Sequence, residues 1–221
     1  MITRAPIWAV VPVKNTEGAK QRLADALTPP QRQQFALAML EDVLTALAAA
    51  RGLAGILMVT VDETAMQLAA RYGAVVSHED ACAGHTAAVM GAAHALAADG
   101  RSLITLPGDV PLVTPADIES VIEASNASPG FTIVPAHDEL GSNTILATPA
   151  NAVPLRFGDN SFFPHLDAAR ACGIEPVVVP NPRLGLDIDA PEDLAAFLKV
   201  SSTTRARALL DQFMMSGAIA R

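Results

Sequence analysis

Three groups of charged residues in this 221-residue chain have the types and spacing needed to handle a polyphosphate. Lys14, Lys20 and Arg22 share one loop, Pro12-Val-Lys-Asn-Thr-Glu-Gly-Ala-Lys-Gln-Arg-Leu23, that follows an apolar run. If the loop curls, all three cations face one anion. Asp109 stands alone among apolar neighbours in Leu106-Pro-Gly-Asp-Val-Pro-Leu112, a place from which a carboxylate can hold Mg²⁺, which takes one or two protein carboxylates and leaves its other positions to phosphates and water. Asp187 and Asp189 lie two apart on what reads as extended chain, so they point to one side and repel unless a cation sits between them. Each group also has a plainer reading: solvated loop charges, an Asp that stabilises a Gly-Asp turn, and an N-cap for the helix that begins at Pro191.

A fourth segment, Arg156-Phe-Gly-Asp-Asn-Ser-Phe-Phe-Pro-His165, pairs with Gly141-Ser-Asn-Thr144. Ser161 reads as an N-cap, so the Gly158–Ser161 turn offers backbone N–H groups to a phosphate or carboxylate, and Arg156 can add a bidentate clamp. An ordinary capped helix is the alternative. Neither GxGxxG nor GxxxxGK[ST] occurs, which disfavours a Rossmann dinucleotide site and a P-loop. His85, His94, His137 and His165 share no metal-ligand spacing and read as structural or peripheral.

The elements that must carry these loops are short apolar strands alternating with helices. Strands are predicted at Trp8–Val13, Ile56–Val61, Ala74–Ser77, Leu103–Leu106, Phe131–Pro135, Thr144–Ala147 and Val177–Val179, the fifth and sixth reading as a hairpin-like excursion because Gly141 and Ser142 sit between them. Thr28-Pro-Pro-Gln31 opens a helix as a capping box with Pro in the first turn, and Ala36, Met39, Leu40, Val43, Leu44 and Leu47 form its apolar stripe up to Gly52. Further helices are predicted after Asp62, at Thr86–Ala98, Pro115–Ala124, Ser161–Ala171 and Pro191–Leu198. Such alternation gives an α/β fold with a mostly parallel sheet covered on both faces, whose ligands bind at the carboxyl ends of the strands. All four charged segments follow predicted strands.

Composition narrows the partners. The net charge of −8 opposes a general nucleic-acid or anionic-membrane binder. The charge is uneven: residues 1–32 hold five basic and two acidic residues, a net of +3, so the remainder carries −11. With 51% hydrophobic and 17% charged residues the chain can bury a sizeable core. No apolar run reaches membrane-spanning length, Met1-Ile-Thr-Arg4 does not open a signal peptide, and Cys82 and Cys172 form no CxxC pair, so a cytoplasmic protein is expected.

Taken as a set, these motifs resemble the phospholactate guanylyltransferase family of deazaflavin-coenzyme (F420) biosynthesis, relatives of the molybdenum-cofactor guanylyltransferases. The matching residues are Val11-Pro-Val-Lys14, Ala19-Lys20 with Arg22-Leu23, Met39-Leu-Glu-Asp-Val43, Leu106-Pro-Gly-Asp-Val-Pro-Leu112, Gly141-Ser-Asn143, Arg156-Phe-Gly-Asp-Asn-Ser161 with His165, and Leu186-Asp-Ile-Asp189 before Pro191-Glu-Asp193. The resemblance implies a three-layer, nucleotide-diphospho-sugar-transferase-like fold related to the Rossmann folds. It implies an enzyme that couples GMP from GTP to the phosphate of phosphoenolpyruvate, 2-phospholactate or 3-phosphoglycerate and releases pyrophosphate. It further implies Lys14, Lys20 and Arg22 on the triphosphate, Asp109 with Asp187 or Asp189 on Mg²⁺, and Asn143, Arg156, Gly158 and Ser161 at the acid. Val11, Pro12, Gly84, Thr86 and Pro107 would join Lys14 around the nucleotide. One segment departs from the family pattern: Gly84-His-Thr-Ala87 replaces Gly-Leu-Asn-Ala, with Thr86 positioned to cap the following helix.

Transfer of CMP or UMP to a sugar phosphate is the alternative within enzymes, and a catalytically inert nucleotide-binding protein the alternative outside them. Residues 1–200 are expected to form one nucleotidyltransferase domain. Residues 201–221 read as a helical extension, with Leu209, Leu210, Phe213 and Met214 on one face that docks on its own domain or makes a homodimer contact.

Overall fold

In the computed structural model, the described residues are 5–216 except 126 and 159. Arg4 and the tail beyond Ser216, both included in the sequence expectations, lie outside them. Seven strands form one sheet: β1 (Ile7–Pro12), β2 (Leu53–Val59), β3 (Val75–Ser77), β4 (Ser102–Thr105), β5 (Gly130–Pro135), β6 (Ser142–Thr148) and β7 (Val177–Val178), in the order β3-β2-β1-β4-β6-β5-β7. The helices are α1 (Pro29–Ala49), α2 (Glu63–Arg71), α3 (His85–Ala98), α4 (Pro115–Ala124), α5 (Phe162–Ala171), α6 (Pro191–Lys199) and α7 (Arg205–Met215).

Alternation along β1 separates two cores. Ile7, Ala9 and Val11 face a cluster that includes Leu40, Val43 and Leu44 of α1, Leu68 of α2 and Ile118 of α4. Val10 faces the other, with Val89 and Ala93 of α3 and Phe162 and Leu166 of α5. The sheet is thus the middle of three layers, as the fold expectation requires. A third cluster, on the far side of α1, joins Phe35 and Met39 to Phe197 of α6 and to Ala206 and Leu210 of α7. Helix α7 therefore docks on its own chain, and Asp42 of α1 accepts hydrogen bonds from the backbone N–H groups of Arg205 and Ala206 at its first turn, both at 2.9 Å.

Strand ends move by up to three residues from their predicted positions, as fraying elements do. The hairpin suggested by Gly141 and Ser142 forms between β5 and β6, and its insertion beside β4 is what the alternating pattern does not foretell. Strands β1, β2, β3 and β4 pair in parallel, but β6 runs antiparallel to both β4 and β5. Ser142 and Asn143, expected in a loop, are the first residues of β6. Because β6 is reversed, its beginning lies at the same edge as the carboxyl ends of β1 and β4, and that edge carries the site.

Candidate active site

Along the carboxyl edge runs a cleft of about 960 Å³, a size suited to a small-molecule ligand. Its first wall is the loop after β1. Thr16 anchors it, since its N–H and hydroxyl both donate to Asp62 Oδ2 at 2.7 Å while Asp62 Oδ1 caps α2 through Ala65 N–H. Arg32, buried at 6% exposure, donates Nη1–H to the carbonyl of Leu27 at 2.9 Å and Nε–H to that of Ala19 at 3.3 Å. One of the basic residues of the first 32 therefore holds backbone instead of facing a ligand. Thr16, Asp62 and Arg32 are positioning residues that the sequence reading passed over; the only sequence trace is the helix-capping signal at Asp62.

Lys20 sits at φ 55°, in the left-handed region that few side chains adopt. Its ammonium points inward, where it is 8% exposed, bonded to Asp109 Oδ2 and, at 2.6 Å, to Asp189 Oδ1. Burial alone lowers the Lys20 pKa, but the charges of Asp109 and Asp189 outweigh it and the net shift is upward, so the ammonium stays charged. Segment 184–190 is laid against the Asp109 loop by the hydrogen bond from Ile188 N–H to the Asp109 carbonyl, 3.1 Å. Asn143 reinforces it, donating Nδ2–H to the carbonyl of Gly185 at 2.9 Å and to Asp187 Oδ1 at 3.0 Å. Burial pushes the Asp187 carboxyl above the usual range and the nearby charge of Asp109 pushes it further, against the Asn143 bond.

Asp109 Oδ1 is buried without a hydrogen-bond partner among the described residues. A carboxylate oxygen in that state is costly unless a cation takes it. Among the described residues no three His, Cys, Asp or Glu side chains are grouped closely enough to hold a metal, so the three aspartates do not form a preformed cage. Asp189 is instead half-exposed, at 52%, and paired with Lys20. The donor set nevertheless fits Mg²⁺, a hard cation that needs one or two carboxylates and takes phosphate and water for the rest.

The lining also includes Gly84, His85, Thr86, Ser142, Phe157, Gly158 and Ser161. Thr86 does not cap α3, whose N-cap is Gly84 at φ 100°; its hydroxyl instead accepts from Phe157 N–H at 3.0 Å and donates to the Phe157 carbonyl at 3.3 Å, strapping that loop to the helix. Ser161 occupies the N-cap position of α5, yet its hydroxyl donates to Ser142 Oγ at 3.3 Å and makes no cap bond. His85, expected to be structural or peripheral, lines the cleft and packs against Phe157 with ring centroids 4.5 Å apart and planes tilted by 58°. Burial holds its pKa below the usual histidine value, Asp109 opposes that and Lys14 adds to it.

Lys14, Lys20, Arg22, Asp109, Asn143, Asp187 and Asp189 all border this cleft, as do Pro12, Gly84, Thr86, Pro107, Gly158 and Ser161. Two candidates do not. Val11 is fully buried in the first core because alternation along β1 turns its side chain into the α1 layer, and the exposed Arg156 lies outside the lining, only its backbone N–H reaching inward, to His165.

Residues 7–219 match the family model described as Guanylyl transferase CofC like. The chain is 37% identical over 189 residues to a phosphoenolpyruvate guanylyltransferase of Rubrobacter xylanophilus, covering 86% of this chain and 92% of the relative. It is 34% identical to a 2-phospho-L-lactate guanylyltransferase of Methanothermobacter thermautotrophicus, covering 91% and 88%. To a 3-phospho-D-glycerate guanylyltransferase of Colwellia psychrerythraea it is 32% identical, covering 87% and 91%. Among solved structures, a candidate nucleotide-diphospho-sugar transferase of Desulfovibrio desulfuricans G20 superposes with a TM-score of 0.78 at 18% identity over 96% of each chain, a likeness of fold. The cleft at the strand ends and these matches agree, and the chain belongs to the guanylyl transferase CofC-like family of nucleotidyltransferases.

Proposed function

We propose that this protein transfers GMP from GTP to the phosphate of a small phosphorylated carboxylic acid, phosphoenolpyruvate, 2-phospholactate or 3-phosphoglycerate, in the biosynthesis of coenzyme F420. The observation that carries the site assignment is the Lys20 ammonium joined to Asp109 and Asp189 in a cleft that Gly158 and Ser161 also line. An oxygen of the acid's phosphate attacks the α-phosphorus of GTP, the bond from that phosphorus to the α–β bridging oxygen breaks, and pyrophosphate leaves with the electron pair. No side-chain nucleophile is required.

The chain's own groups then have simple tasks. Lys14 and Arg22 neutralise the triphosphate from the loop after β1, and Lys20 fixes the two aspartates while presenting positive charge beside the departing pyrophosphate. Asp109, with Asp187 or Asp189, would hold Mg²⁺, which when bound supplies charge stabilisation of the phosphate oxygens. Asn143 keeps segment 184–190 in place, and the turn at Gly158 with Ser161 takes the acid. Its partners are small molecules; among the described residues no helix is long and apolar enough to cross a membrane.

Pyrophosphate release with GTP and each of the three acids, with and without Mg²⁺, tests this directly. Release with GTP and one acid supports guanylyl transfer. Release only with CTP or UTP and a sugar phosphate overturns it.

A further inference from the structure

Deep behind the acid-binding wall, His165 of α5 is 1% exposed and joins two segments that are distant in sequence. Its Nε2 lies 2.9 Å from the backbone nitrogen of Arg156. A backbone N–H can only donate, so Nε2 carries a lone pair, and the neutral ring has its hydrogen on Nδ1. Nδ1 is 2.9 Å from Ser142 Oγ, which must therefore accept. Ser161 donates to the same oxygen at 3.3 Å. A hydroxyl oxygen has two lone pairs, and both are now used. The hydrogen of the Ser142 hydroxyl has no protein acceptor left among the described residues, and Ser142 borders the cleft.

We propose that His165 is a positioning residue of the acid subsite: its Nδ1–H bond turns the Ser142 hydroxyl hydrogen into the cleft, where it donates to an anionic oxygen of the phosphorylated acid. The same imidazole holds Arg156 and so fixes the start of the turn that presents Gly158. This assignment rests on the guanylyltransferase reading for the identity of the ligand and on the hydrogen-bond geometry for the direction of the donor. Burial, which holds the His165 pKa at about 4, agrees with a neutral ring at working pH.

Two arms test it separately. Long-range ¹H–¹⁵N NMR of the histidine rings at pH 7 reads the tautomer without turnover; hydrogen on Nδ1 of His165 is expected, and hydrogen on Nε2 overturns the proposal whether or not the enzyme is active. In steady-state pyrophosphate release, Ser142→Ala and His165→Ala are each expected to raise the KM of the acid about tenfold or more, the worth of a hydrogen bond to a charged group, with the KM of GTP changed less than about twofold. The double variant should be no worse than the worse single one, because His165 acts through Ser142. His165→Asn, which keeps an N–H near the Nδ1 position, should stay within about threefold of the parent, while His165→Gln, which serves the Arg156 side only, should not. Additive single effects, an equal rise in the KM of GTP, or rescue by Gln instead of Asn overturn the proposal. The Asn and Gln pair keeps it decidable if the Ala variant fails to fold. Absence of pyrophosphate release in the parent enzyme with all three acids would instead overturn the guanylyltransferase reading.

Discussion

Lys20 and Asp109 are 89 residues apart in sequence and bonded through Nζ and Oδ2, while Asp109 Oδ1 is left without a protein partner. One carboxylate thus has an oxygen committed to the protein's own cation and another available to a second one. Asp109→Asn retains an acceptor for Lys20 but removes the charge. It should lower turnover by about two orders of magnitude or more with a thermal midpoint close to that of the parent, read by pyrophosphate release and calorimetry. Unchanged turnover would remove Asp109 from the metal assignment.

Gly158 has φ 142°, and a Cβ built there meets no atom of the other described residues within 4 Å. Gly158→Ala therefore tests backbone conformation free of any clash. A cost of about 1–3 kcal/mol is expected for the strained backbone, expressed as a weakened KM for the acid or as lost stability in a urea titration. If neither changes, the turn does not need that conformation.

The buried His165 sets a pH window. Burial depresses its folded pKa to about 4 from 6.5, so the unfolded chain binds a proton that the native chain refuses. Its contribution to stability is fully present above about pH 6.5 and is lost as the pH falls through about 4. Thermal midpoints measured from pH 7 to 4 should fall less steeply in His165→Asn than in the parent. Parallel slopes would mean that His165 titrates normally.

Leu210 is 1% exposed between α1 and α6. Leu210→Ala should cost about 2–5 kcal/mol in reversible denaturation, the range for a buried leucine that leaves a cavity. A cost below about 0.5 kcal/mol, the size of an ordinary surface effect, would show that α7 contributes little to the fold.

Acid sensitivity has a second source in Asp117, whose pKa is held at about 2, against its own burial, by the Arg183 guanidinium, Asn181 and Thr114. The bond from Arg183 Nε to Asp117 Oδ2 is 2.7 Å and that from Nη2 to Oδ1 is 2.6 Å. The folded pKa lies below the usual aspartate value of 3.8, so this stability is present above about pH 4 and is lost between there and about pH 2. Arg183→Met should shrink that acid limb of a stability–pH profile, Asn181 and Thr114 retaining the rest, while leaving the His165 limb in place.

Local signals in the sequence were enough for most element starts, although the caps read at Thr86 and Ser161 lost to long-range partners, Phe157 and Ser142. The Gln31 half of the box at Thr28 forms, with Thr28 N–H and hydroxyl both donating to Gln31 Oε1 at 2.8 Å, and α4 begins and ends where Thr114-Pro115 and Ala124 predicted. The apolar runs marked the strands because buried parallel strands need near-continuous hydrophobic residues. The isolated Asp109 after a strand and the cations after β1 were legible for the same reason: charge next to a core stands out.

The Gly141-Ser142 turn signal carried the relative direction of β5 and β6 but not where that hairpin joins the sheet, and the tertiary structure decided what depends on it. Only the antiparallel entry of β6 brings Ser142 and Asn143 to the edge where β1 and β4 end. The strained turn at Lys20 joins aspartates 89 and 169 residues away, a pairing no local pattern encodes. Alternation buried Val11, backbone bonding claimed Arg32, and Arg156 was left outside the cleft lining, although all three belong to the charged or apolar motifs that pointed to the site. The sequence by itself determined which residue types were available and in which loops; long-range packing determined which of them meet, because a hydrogen bond of about 3 Å depends on where two distant segments are held and not on their separation along the chain.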